Sequence, residues 1–95
     1  MSAFAIAQLT IHDRVAYSKY GAAVDDTLTP YGGKILSVEE HPNVLEGTWN
    51  HTRTVLLEFP TSEQAMSWYS SAQYQAIVGQ RLAASTANLV ILRGL

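Results

Sequence analysis

Glu58 lies in the run Thr54–Phe59, TVLLEF, where it is the only charged residue. Carboxylates in apolar surroundings are a common source of general bases that work near neutral pH. That makes Glu58 the first candidate for acid–base chemistry. The alternative is structural: Arg93 or Gln8 on neighbouring strands would pair with it, and the glutamate would then hold subunits together. Tyr69 is the second catalytic candidate, because a phenol can position a substrate or transfer a proton. Around these, Tyr17, Tyr20, Trp68, Tyr69 and Tyr74 supply rings and hydroxyls suited to a cleft for a planar organic ligand. Helical spacing equally accommodates them as an aromatic core with hydroxyls at its rim. Arg81 follows on the same helical stripe, able to meet Glu58 or a ligand anion, or to extend to solvent. Trp49 and His51 precede a strand on a loop, a usual place for residues that gate a pocket. His12, His41 and His51 share no compact ligand spacing with one another, so no metal site is expected. Gly32-Gly33 lacks the further glycines of a phosphate loop and is read as a turn.

These side chains need elements to hold them. Ala3–Ile11 is apolar on both parities, the mark of a strand covered on both faces. Asp13 stands at an N-cap position, and Tyr17, Tyr20, Val24 and Leu28 form the stripe of the helix it begins. Pro30 and the glycine pair end that helix. Lys34–Val38 is a short strand, and Glu39–His51 is irregular, with some strand pairing expected at Val44–Gly47. Arg53–Phe59 is the clearest strand, closed by Pro60. Thr61 with Gln64 matches a capping box, and Ser71 offers a second cap before the stripe Tyr74, Ile77, Val78, Arg81. Asn88–Arg93 reads as the last strand.

The order strand, helix, strand, strand, broken helix, strand predicts an α+β fold. It is a ferredoxin-like βαββαβ plait, a four-stranded antiparallel sheet with both helices on one face. Glu58 under packed helices would be a costly buried charge, so Thr54, Leu56 and Glu58 are assigned to the open face. Phe4, Ile6, Gln8, Leu89, Ile91 and Arg93 are expected beside them. An open face this apolar predicts a homodimer in which two sheets close into an α/β barrel.

Size and charge agree. The 95 residues (1–95) are expected to form one domain, burying roughly 60–65% of the unfolded surface. Charged residues are 15% of the chain, against about 25% in a usual soluble domain, so some apolar surface should be covered by a partner. Six scattered basic residues against eight acidic ones give no footprint for nucleic acid. With no cysteine there is no disulfide or thiol chemistry. The amino terminus carries no leader pattern, and its apolar stretch is too short for a membrane span, so a soluble cytoplasmic protein is expected.

The stretches Tyr31-Gly32-Gly33-Lys34, Leu45-Glu46-Gly47, Leu57-Glu58-Phe59-Pro60 and Ala65-x-x-Trp68-Tyr69-x-Ser71-x-x-Tyr74-Gln75 form one pattern with Asp13, Tyr17, Tyr20 and Arg81. Over nearly the whole chain this pattern resembles the domain-of-unknown-function 1330 family. The resemblance implies the dimeric α/β-barrel fold and supplies no mechanism. The second half is also similar to the antibiotic-biosynthesis monooxygenase group of the same superfamily. Glu58, Ala65, Ser71 and Tyr74 match that group, while Tyr69 replaces its histidine and Ala72 its proline.

Taken together, these residues predict a small dimeric domain that binds an aromatic or hydrophobic metabolite without a cofactor. A cofactor-independent monooxygenase or isomerase of a small organic acid, with Glu58 as base, is the alternative. A non-catalytic structural dimer is the third reading.

Overall fold

The structure, a computed structural model, describes residues 2–95. Its elements are β1 (Ala3–Ile11), α1 (Arg14–Leu28), β2 (Lys34–Glu39), β3 (Arg53–Phe59), α2 (Ser62–Ser70), α3 (Ala72–Ala84) and β4 (Ser85–Arg93). A 3-10 turn, Thr29–Tyr31, follows α1. The strands form one antiparallel sheet in the order β2-β3-β1-β4. With the helices on one face, this is the ferredoxin-like βαββαβ plait.

The helix starts are set by short polar side chains. The Asp13 carboxylate accepts from the Ala16 amide at 3.0 Å, and the Thr61 hydroxyl accepts from the Gln64 amide at 3.1 Å. Ser71 serves two helices: its hydroxyl donates to the Trp68 carbonyl at 2.7 Å and accepts from the Tyr74 amide at 3.1 Å. One residue thus ends α2 and starts α3, which fixes how Trp68 and Tyr74 face each other. After α1 the chain turns through Gly32 at φ 71°, a left-handed conformation favouring glycine. At Gly33 the limit is space, since a Cβ would lie 2.7 Å from the Phe59 ring.

On β1 the buried parity is mostly small: Ala3, Ala5 and Ala7, followed by Leu9 and Ile11. Small residues on a central strand leave volume above the sheet, and Trp68, Tyr74 and Phe59 occupy most of it. The Trp68 indole N–H donates to the Thr27 hydroxyl at 2.9 Å, so its one polar atom is satisfied inside the core.

Phe4, Ile6 and Gln8 pair in register with Glu58, Leu56 and Thr54, placing all six on the face away from the helices, as the sequence implied. The last strand differs. Leu89 pairs with Ala7, Ile91 with Ala5 and Arg93 with Ala3, so these three face the helices' side. The open face of β4 is Asn88, Val90 and Leu92. The reason is that α3 passes directly into β4: Ser85 is buried and pairs with Ile11, and that contact sets the parity of the strand. Arg93, at the exposed strand end, is tolerated on the inner parity. β4 also starts at Ser85 rather than Asn88, and Val44–Gly47 forms no strand.

Candidate functional site

Between α1 and the sheet the core is incomplete. A cavity of about 130 Å³ has Ala7, Val55, Leu57 and Leu89 on the sheet side and Tyr17, Tyr20 and Val24 on the α1 side. Trp68, Tyr74, Arg53 and Arg81 complete its wall. From β2, Ile35 and Val38 line it while staying exposed. The short side chain of Ala7 accounts for the missing volume on the central strand.

The rings stand tilted or edge to face around this space. Tyr20 meets Tyr74 at 6.1 Å between centroids and 77°, Tyr17 meets Tyr20 at 5.5 Å, and Trp68 lies 4.1 Å from Tyr74. The hydroxyls of Tyr20 and Tyr74 are 2.8 Å apart. Arg53 places its guanidinium 5.1 Å from the centre of the Tyr17 ring, a cation–π arrangement. Its Nη2 reaches Glu40 at 3.4 Å, and Glu40 is itself held by Arg14 at 2.8 Å.

Burial pushes the Tyr20 phenol well above the usual range, reinforced by Tyr74. Burial also raises Tyr17, against the opposing pull of Arg53 and Arg81. For Arg81, burial lowers the pKa, but neighbouring Tyr74, Tyr20 and Tyr69 outweigh it and the net direction is up. The hydrogen bond from Arg14 holds the Glu40 carboxyl below its usual value. At neutral pH the Tyr17 and Tyr20 phenols are therefore protonated and the Arg81 guanidinium is charged.

Of the residues expected at a site, Tyr17, Tyr20, Trp68, Tyr74 and Arg81 do come together here. Glu58 does not. Its register with Phe4 and Lys34 places it on the open face, so the sheet separates it from the cavity. Nor can Arg93 pair with it, being on the other parity; the cation opposite Glu58 is Lys34. Tyr69 is 38% exposed and lines an outer groove with Met66, Leu89 and Ile91, beside the cavity rather than in it. Trp49 and His51 do not gate the cavity either. The Trp49 indole donates to the Thr54 hydroxyl at 2.9 Å, which draws it to the open face, and His51 packs against that indole at 5.8 Å.

The sequence of residues 2–95 matches a family described as Domain of unknown function (DUF1330). The chain belongs to the DUF1330 family. Among curated proteins, none matches it. Solved structures share the fold of this DUF1330 chain at low identity. A protein of unknown function from Rhodopseudomonas palustris is 18% identical with a TM-score of 0.82, over 99% of this chain and 82% of that one. SnoaB, a cofactor-independent oxygenase from Streptomyces nogalater, is 7% identical with a TM-score of 0.73, over 99% and 93%. A dimeric ferredoxin-like protein of unknown function from a Jannaschia species is 14% identical with a TM-score of 0.69, over 99% and 100%.

Arg53 is the DUF1330 chain's unanticipated site residue. The signal was present in the parity of β3: Arg53 alternates with Val55, Leu57 and Phe59, all on the helix side. A charge that shares the buried parity of a strand points to a site, a signal that overall charge and the scatter of basic residues do not carry.

Proposed function

We propose that this domain binds a small, largely apolar aromatic metabolite in the cavity between α1 and the sheet, and does so as a homodimer. The observation that carries the binding reading is the cavity itself. Protein cores are close-packed, and here about 130 Å³ is left open between rings that would otherwise fill it. The ligand's rings would stack against Tyr17, Tyr74 and Trp68, and the edge of β2 is its route in. Saturable stabilisation by an aromatic ligand recovered unchanged tests this, since a ligand that binds only the native state raises the melting temperature with its concentration. No stabilisation by any single-ring compound at millimolar concentration would leave the structural-dimer reading in its place.

The dimer is supported by the open face of the sheet. Phe4, Ile6, Leu56, Val90 and Leu92 lie side by side there, with Val90 50% and Leu92 49% exposed. Burying the part of each that is still exposed contributes up to about half of the 1.5–3 kcal/mol of a full burial, and several together favour pairing.

Turnover without a cofactor is the second reading, and the Tyr20–Tyr74 hydroxyl pair inside the cavity favours it. A base at Glu58 does not fit this geometry, so any proton transfer would run through these phenols. Conversion of a bound aromatic acid, lost in Tyr20→Phe or Tyr74→Phe while the dimer persists, is the test.

A further inference from the structure

The cavity's balance of hydrogen-bond donors and acceptors narrows what it holds, given that it is a binding site. Arg81 is only 6% exposed, and its Nε has no hydrogen-bond partner. Among the described residues no carboxylate forms an ion pair with it. The Nε of Arg53 is likewise buried and unpartnered, while its Nη2 shares Glu40 with Arg14. A guanidinium only donates. The neighbouring phenols repair the imbalance only in part: Tyr74 shares a hydrogen bond with Arg81, but in the Tyr20–Tyr74 pair one hydroxyl donates to the other, and the acceptor's own proton remains to be placed. Arg81 cannot accept that proton. The Trp68 N–H is already taken by Thr27. No Asp or Glu lines the cavity. A chain with a net charge of −2 thus gathers two guanidiniums and a spare hydroxyl proton around one apolar space. A buried guanidinium with an unsatisfied N–H and no carboxylate partner is costly, and a bound anion reduces that cost.

We infer that the ligand is a compact aromatic carboxylate, its carboxylate bound by Arg81 and the Tyr20–Tyr74 hydroxyls and its ring held between Tyr17, Trp68 and Leu89. The volume suits a single ring, since an apolar cavity of about 150 Å³ accommodates benzene. Arg53, at the Tyr17 end, adds to the positive potential and remains tied to the β2 edge through Glu40.

Titration calorimetry on the full chain with benzoate and benzamide tests the inference, because the two differ in charge and hardly in shape. Benzoate is expected to bind at least about tenfold more tightly, the usual advantage of a charge-assisted hydrogen bond. Arg81→Met should bring benzoate down to the level of benzamide, with benzamide affinity changed less than about threefold. Arg81→Lys, which keeps the charge, should restore part of the preference and serves if the methionine variant melts early. Equal binding of the two compounds to the wild-type protein overturns the carboxylate assignment and leaves the cavity reading standing. An unchanged preference in Arg81→Met overturns Arg81 as the group that binds the carboxylate. Binding of neither compound at millimolar concentration overturns both.

Discussion

The hydroxyls of Tyr20 and Tyr74 meet at 2.8 Å inside the core, joining α1 to α3 across 54 residues of sequence. Both side chains are buried, so removing one hydroxyl leaves the other without this partner. Tyr20→Phe and Tyr74→Phe should each destabilise the fold by about 1–2 kcal/mol. The double variant should cost little more than either single one. Urea unfolding of the four proteins gives the coupling energy directly, and strictly additive costs would show that the contact does not form.

Alkaline pH should unfold the protein early. Tyr20 and Tyr17 both hold their protons more tightly in the native state, through burial above all. An unfolded tyrosine ionises near pH 10, so above that point the unfolded chain binds fewer protons than the native one and stability falls. Below it the contribution of these groups is fully present. Phenolate absorbance should therefore rise together with loss of structure, and Tyr20→Phe should shift the midpoint to higher pH once its loss of stability at neutral pH is subtracted.

The open face predicts its own disruption. Ile6 pairs with Leu56 on one side and with Val90 on the other, so it stands at the centre of the apolar patch. Ile6→Asp should convert the dimer to a monomer and lower the melting temperature, because an unpaired carboxylate there cannot be buried without a large cost. Sedimentation equilibrium measures this. A wild-type protein that is already monomeric at micromolar concentration would contradict the dimer.

Filling the cavity should separate binding from folding. Ala7 lines the cavity from β1, and Ala7→Leu extends side-chain volume into space that is open in the native fold. Aromatic ligands should no longer raise the melting temperature of this variant, while its own stability should stay within about 1–3 kcal/mol of wild type.

Much of this was legible in the chain. Asp13, Thr61 and Ser71 announce their caps locally, and each cap forms. The two-sided apolar pattern of β1 and β3, with Glu58 as the residue least tolerable under helices, gave the correct open face for both strands. The same rule failed on β4. It ranked faces by the polarity of Arg93, whereas Ser85 at the α3 junction decides the parity through its pairing with Ile11. The site was read in part. A helical stripe predicts which rings share a face, so Tyr17, Tyr20, Tyr74 and Arg81 were found together. It does not say which side of a sheet a loop folds toward, and the Trp49–Thr54 hydrogen bond draws Trp49 and His51 away from the cavity. Nor did proximity in sequence bring Glu58 to the tyrosines, because adjacent strand positions face opposite ways.

The cavity and the open face both lie on the sheet, on opposite sides, and their methyl groups tell them apart. Nuclear Overhauser contacts between bound benzoate and the protein's methyl groups test the central claim most directly. Contacts to Ala7, Val24, Val55 and Leu89 are predicted, all of which line the cavity. Contacts confined to Ile6, Leu56 and Val90, on the open face, would contradict it.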